Sequence, residues 1–383
     1  MERKDLVAAV PCPDYDPAHV RAALMEAIGA AGGLDWVTPG MRVGIKLNLC
    51  DAAAPETAAT THPVMAAELT KLLVERGAKV VLGDSPGGPF VSAHINRLYS
   101  VCGMAEAEAA GGELNRCYTH SSVDFPAAVT YKSFYLCDWL INCDAVINFC
   151  KLKSHGLMGI TAAVKNLYGV IPGTVKSEYH FRYKDPLAFA SGLVDLNEYM
   201  KCRLNLCDAV EIMEGNGPTK GTPRHMGLLL ASRDPYALDR VNAALVGVKE
   251  EEILFLTAAK QRGLLSEGGM PPLHGDIGPF KITDFQRSGA TSSWFATSED
   301  DTLFQRIKKK GLAVLLRSRP ALSEGCIGCG RCAQLCPAKA IVIKNKKAKI
   351  DRKKCVRCFC CQEFCPTGAM VVQRSFAAKL LEK

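Results

Sequence analysis

No stretch of this 383-residue chain approaches the roughly 18 consecutive apolar residues that a bilayer-spanning helix needs; its longest apolar runs, such as 227–231 and 311–316, are far shorter. No membrane span is expected. The first ten residues run directly into Pro-Cys-Pro and acids, without the sustained apolar stretch of a secretory signal, so a cytoplasmic protein is expected. No G-x-G-x-x-G follows a strand pattern, which leaves dinucleotide binding unsupported, and no phosphate-loop pattern is present. Acids are scarce in two regions. Between residues 151 and 182, Glu178 is the single acid among four lysines, two histidines and an arginine, and from Arg306 onward 19 lysines and arginines face only four acids. The whole chain carries +8, so the first 305 residues are net negative and the tail is a separate basic unit.

What the chain has in excess is cysteine: 18 residues, nine of them crowded between Cys326 and Cys365. They form an internal repeat, Cys326-x2-Cys329-x2-Cys332-x3-Cys336-Pro337 and Cys355-x2-Cys358-x2-Cys361-x3-Cys365-Pro366. Three closely spaced thiolates wrap three corners of a cubane, and the fourth reaches the cluster of the other copy. The expected sets are Cys326, Cys329, Cys332 and Cys365 for one [4Fe-4S] cluster, and Cys355, Cys358, Cys361 and Cys336 for the second. Cys360 is an extra thiol outside the completed set. The spacing does not suit zinc, and the clusters' negative charge accounts for a basic tail without nucleic acid. The segment resembles a bacterial two-cluster ferredoxin domain. The other nine cysteines lack Cys-x2-Cys spacing and read as small core residues.

The remainder alternates helix and strand patterns. Helices are expected at 17–31, 63–76, 187–200, 235–246 and 250–262, and strands at 42–49, 79–83, 145–149, 204–213, 226–231 and 281–285. Thr61 is a possible cap of the second helix and Asp234 of the fourth. This predicts an α/β fold, a mixed or mostly parallel sheet with helices on both faces, whose ligands sit at the strands' carboxyl ends. Four segments follow: an α/β domain over 1–302, a helical linker over 303–319, the cluster domain over 320–373 and a tail over 374–383.

Polar groups gather at the predicted strand ends. Lys46 and Asn48 share one strand face. Asp84-Ser-Pro-Gly-Gly-Pro89 is a turn that either cradles an anion or simply reverses the chain. The basic run from Lys151 to Arg182 is interleaved with glycine, asparagine and apolar residues, which favours an anion site over a solvated face. The Gly/Pro-rich stretch 214–225 reads as a long loop at the same mouth.

Lys46-Leu-Asn, Thr61-His-Pro, Gly83-Asp-Ser-Pro-Gly, Asn148-x2-Lys-Leu-Lys-x-His155, Lys165-Asn-Leu-x-Gly169, Pro172-Gly-x3-Lys176-x3-His180, Gly217-Pro-x2-Gly-x-Pro-Arg224 and Ala237-x-Asp239, in this order, resemble the DUF362 family. Many of its members carry a similar C-terminal ferredoxin module. The resemblance implies that Lys46, Lys153, His155, Lys165, Asn166, Lys176 and His180 act together, without naming a reaction.

The expectation is an iron–sulfur oxidoreductase. Two [4Fe-4S] clusters, fed by a redox partner protein, reduce an anionic small molecule held by Lys46, Asn48, Lys153, Asn166, Lys176 and Arg182, with His155, Lys165 and His180 as catalytic candidates. A flavin is compatible but unsupported by any motif. The alternative is a non-catalytic electron-transfer or accessory protein that docks a redox partner. The oligomeric state is left open.

Overall fold

The computed structural model describes residues 4–266, 269–288 and 318–373. Four helices start with the same local device, a polar residue followed by proline. Asp16 precedes Pro17–Ala30, His62 precedes Pro63–Val74, Asp185 precedes Pro186–Met200 and Asp234 precedes Pro235–Leu245, and each polar side chain accepts from a first-turn amide. Proline there gives up an amide that would be orphaned anyway, and the cap satisfies another. Thr61 is not the cap expected of it: its Oγ1 accepts from Asn48 N (2.9 Å) and donates to Phe149 O (3.0 Å), tying two strands together.

The strands are β1 (Val7–Pro11), β2 (Arg42–Lys46), β3 (Lys79–Gly83), β4 (Glu113–Leu114), β5 (His120–Asp124), β6 (Ser133–Cys137), β7 (Ala145–His155), β8 (Gly159–Thr161), β9 (Leu204–Glu214), β10 (Thr222–Ser232) and β11 (Leu273–His274). All but the separate β5–β6 hairpin form one sheet in the order β11-β1-β10-β9-β7-β2-β3-β4, with β8 folded back on β7. It is mixed and mostly parallel: β10 runs antiparallel to both neighbours, and β8 antiparallel to β7. Alternate residues feed two buried layers. Ile147, Phe149, Val43, Ile45 and Leu229 pack with helices Pro17–Ala30 and Pro63–Val74, while Val146, Cys150, Leu228 and Leu230 pack with Pro186–Met200, Pro235–Leu245 and Leu254–Gln261.

Several expected boundaries move. Residues 281–285 are not a strand; Ile282 makes one backbone bond to Leu245 O and buries its side chain, and Asp284 turns outward to pair with Arg224. The loop expected over 214–225 shrinks because β9 and β10 extend into it, their ends pinned by the Arg224–Glu214 pair. The helix expected from Glu250 opens as a 3-10 turn, Glu250–Glu252, and the α-helix proper is Leu254–Gln261. β1 has no counterpart among the expected strands. The linker helix falls on residues outside those described, save Ser318 and Arg319, and Arg319 already belongs to a strand.

That strand, β12 (Arg319–Leu322), opens the cluster module. It pairs with the last strand, and β13 (Ile341–Lys344) and β14 (Lys347–Ile350) form a hairpin between the repeats; β15 (Met370–Gln373) closes the unit. The repeats are offset by 29 residues, 326 to 355, and their backbones match. Gly328 and Gly330 have positive φ, and so do their counterparts Arg357 and Phe359. For L-residues this conformation costs about 1 kcal/mol or more. Phe359 adopts it with its ring buried in the α/β core, so docking of the module compensates the second repeat's strain.

Candidate functional site at the domain junction

The carboxyl ends of β2, β3 and β7 converge on one cavity of about 80 Å³, partly open to solvent. β7 carries Lys153 and His155 there, β8 returns Thr161, and the short helix Ala163–Asn166 brings Lys165 and Asn166. Asp239 holds that helix by accepting from both Ala163 N (2.8 Å) and Val164 N (2.9 Å). The opposite wall comes from the cluster module: Cys360, Glu363 and Phe364. Gln362 latches this wall in place, its Nε2 donating to Asn216 O (3.2 Å), Asn216 Oδ1 (2.8 Å) and Gly217 O (2.8 Å), while Thr219 Oγ1 donates to Glu363 O (2.8 Å). Gly87 is required by the same contact, since a Cβ there would meet the Phe364 ring at 2.1 Å.

His155 is buried to 1% exposure. Its Nδ1 accepts from Leu157 N (3.0 Å) and Met158 N (3.2 Å), which places the ring proton on Nε2. That Nε2 has no hydrogen-bond partner and lies 3.3 Å from Glu363 Oε1. Burial lowers the imidazole pKa below its ordinary value, Glu363 opposes this and Lys165 adds to it. The Glu363 carboxyl stays at about 2: burial pushes it up, but His155 and Lys165 outweigh that. Lys165 has no carboxylate in ion-pair contact among the described residues; its Nζ sits 4.8 Å over the Tyr168 ring, and burial lowers its pKa. His180 is stacked on Phe189 and held neutral by burial, at about 3.

Other cations are saturated by neutral acceptors. Lys153 donates to Asn48 Oδ1 (3.0 Å), Cys50 Sγ (3.2 Å) and Ala59 O (2.7 Å). Lys176 donates to Ser85 O, Ser85 Oγ and Ile171 O, and burial lowers it to about 7. Beneath them Asn166 bridges Asn48, Asn148 and Lys46, and Asn148 continues to Asn205. These amides knit three parallel strands below the pocket. Lys46 is ion-paired with Asp84 at 2.7 Å, and Lys151 pairs with Asp208 outside the cavity lining. Arg182 is exposed, stacked over Tyr183, and outside the lining. Glu363, Phe364, Thr161 and Thr219 line the site without a signal in the sequence, because the first two arrive by docking of the cluster module.

The cysteine donor sets fit iron–sulfur clusters. Cys326, Cys329, Cys332 and Cys365 line one cavity of the module, across the repeat boundary. Cys355, Cys358, Cys361 and Cys336 lie close enough to perturb one another, and Cys336 Sγ accepts from Ala340 N (3.2 Å).

A mostly parallel α/β sheet with a cysteine-rich module closing its ligand cleft defines the class. The family model for a domain of unknown function, DUF362, matches residues 43–244, and a 4Fe-4S dicluster domain matches 325–369. The chain belongs to the DUF362 family. It is 33% identical over 257 residues to a thylakoid-associated protein of Synechocystis sp., covering 65% of this chain and 77% of that one. Among solved structures it is similar to the lactate racemase apoprotein of Thermoanaerobacterium thermosaccharolyticum, at 10% identity and a TM-score of 0.39, covering 62% of this chain and 56% of that one. A protein from Thermotoga maritima gives 12% identity and 0.38, covering 67% and 60% respectively. The chain thus spans little more than half the length of these solved chains. No helix among the described residues is long and apolar enough to cross a membrane.

Proposed function

We propose that the protein is an iron–sulfur oxidoreductase that passes electrons through two [4Fe-4S] clusters to an anionic small molecule bound at the domain junction. The observation that carries this reading is the shared wall: Cys360 and Glu363, interleaved with the ligand cysteines 358, 361 and 365, line the same cavity as Lys165 and His155. Consecutive Cα atoms are about 3.8 Å apart, so a ligand to the second cluster is one residue from the acceptor pocket.

The clusters, when bound, supply single electrons at low potential. The chain's own residues supply the rest. Lys165, in ion-pair contact with no carboxylate among the described residues, meets an anionic group of the acceptor. His155, with its tautomer fixed, presents Nε2–H as a hydrogen-bond donor to the atom on which negative charge develops, and Lys165, whose ammonium burial makes more acidic, gives up the proton as the acceptor takes its electron pair. Lys153 and Lys176 donate only to neutral oxygens and a thiol, so they add positive field behind the acceptor. Tyr168 and Phe364 narrow the site and limit water.

The test uses protein purified without oxygen and chemically reduced, then offered fractions of a cellular small-molecule pool while cluster absorbance is followed. Rapid reoxidation by one anionic fraction, lost in Lys165→Ala and His155→Ala with iron content unchanged, supports the reading. Reoxidation by proteins alone, indifferent to both substitutions, overturns it and identifies an electron-transfer accessory protein.

A further inference from the structure

The two repeats of the cluster module meet very different surroundings. In the second, Phe359 is 3% exposed, Cys360 3% and Gln362 0%, all packed toward the α/β domain. In the first, the loop faces outward: Cys329 is exposed and Ile327 is 64% exposed. This loop is pressed against the β13–β14 hairpin, because a Cβ on Gly328 would lie 2.6 Å from Lys346 O. Ile343 and Ala348 of the hairpin line the cavity that gathers Cys326, Cys329, Cys332 and Cys365. Around it stand Lys344, Lys346, Lys347 and Lys349, all exposed and none in an ion pair among the described residues, with exposed Val342 beside them. The described part of the module holds eleven lysines and arginines against three acids.

We propose that this end of the module, where the loop bearing exposed Ile327 and Cys329 meets the lysine-rich hairpin at the Gly328–Lys346 contact, docks an acidic electron-carrier protein and is where electrons enter the chain. Small apolar centres with charged rims are how proteins dock, and unpaired rim charges set association rate and salt dependence. A protein carrier fits better than a lipid surface, since transfer requires close approach to a cluster ligand, and the exposed Cys329 is next in sequence to Gly328, which abuts the hairpin at Lys346. In the step itself the carrier loses one electron and the module gains it; no bond forms or breaks. The first repeat is then the outer station and the second the inner one, beside the pocket. The inference rests on the reading of the chain as an electron-transfer protein, but not on any acceptor in the pocket.

The experiment measures binding of the full-length, cluster-loaded protein to an acidic flavodoxin kept oxidised, so that no electron flows, across 20–300 mM NaCl (roughly a fourfold change in screening length). Binding should weaken steeply with salt, and Lys344→Glu/Lys346→Glu/Lys347→Glu should weaken it roughly tenfold or more at low salt, with iron content and melting temperature unchanged. The milder Lys→Gln triple should fall between, which keeps the test readable if the reversal variant folds poorly. Flavodoxin hydroquinone should reduce the variant more slowly by the same factor. Unchanged binding in both triples overturns the proposal. So does equal binding of basic cytochrome c, or binding of phosphatidylglycerol vesicles in place of flavodoxin. A shift of the cluster midpoint potential with unchanged binding assigns the lysines to internal counter-charge instead. Absence of any small-molecule turnover would defeat the oxidoreductase reading and leave this result standing.

Discussion

The latch at Gln362 offers the sharpest test of whether the cluster module truly closes the pocket. Its side chain is fully buried, and one amide nitrogen serves three acceptors, two of them backbone carbonyls. Gln362→Glu keeps the shape, removes every donor and turns a carboxylate toward three oxygens. A buried acceptor left unpaired costs about 1–3 kcal/mol, and a buried unpaired charge adds to that, so about 3–4 kcal/mol of docking free energy is at stake. At about 1.4 kcal/mol per factor of ten, the undocked population rises roughly a hundredfold or more. Hydrogen exchange of amides in 360–364 and of Leu157 and Met158 should accelerate by that factor, while amides of β2 and β9 stay protected. Gln362→Met, which loses the donors without adding charge, should lie between. Exchange in 360–364 unchanged within twofold, with iron content intact, would refute the latch.

Gly87→Ala drives a methyl into the Phe364 ring and should destabilise docking by about 1–3 kcal/mol; Gly87→Ala/Phe364→Ala should recover most of this, read as a double-mutant cycle by thermal melts. Cys365→Ser should remove the cluster of the first repeat, lowering bound iron from about eight atoms to about four, whereas Cys360→Ser should leave iron unchanged. Lys176 has its pKa lowered by burial from 10.5 to about 7. The unfolded chain therefore binds the extra proton between about pH 7 and 10.5, and stability should rise with pH across that window. Urea titrations of wild type against Lys176→Met should show a difference that grows from pH 7 to 10; a flat difference would contradict the assignment. Asp239→Asn should weaken the seat of the Lys165 helix by about 1–2 kcal/mol through its two amide bonds.

Much was legible along the chain because it depends on short-range chemistry. The four proline-led helices, the parallel strands and both cysteine runs are local patterns, and cubane geometry is what predicts the cross-repeat ligand sets. The gathering of Lys153, His155, Lys165, Lys176 and His180 follows from the rule that parallel sheets present their carboxyl ends to one cleft. Local pattern failed where pairing is long-range: Arg182 belongs to the basic run but points to solvent, the Lys46 charge is balanced by Asp84, and β1 is a strand because β10 and β11 pair with its two edges. Above all, nothing in the spacing of residues 326–365 says which repeat faces inward. Phe359, Cys360, Gln362, Glu363 and Phe364 acquire their meaning through contacts with residues some 140 to 280 positions earlier, and burial of one face decided what the order of amino acids left open.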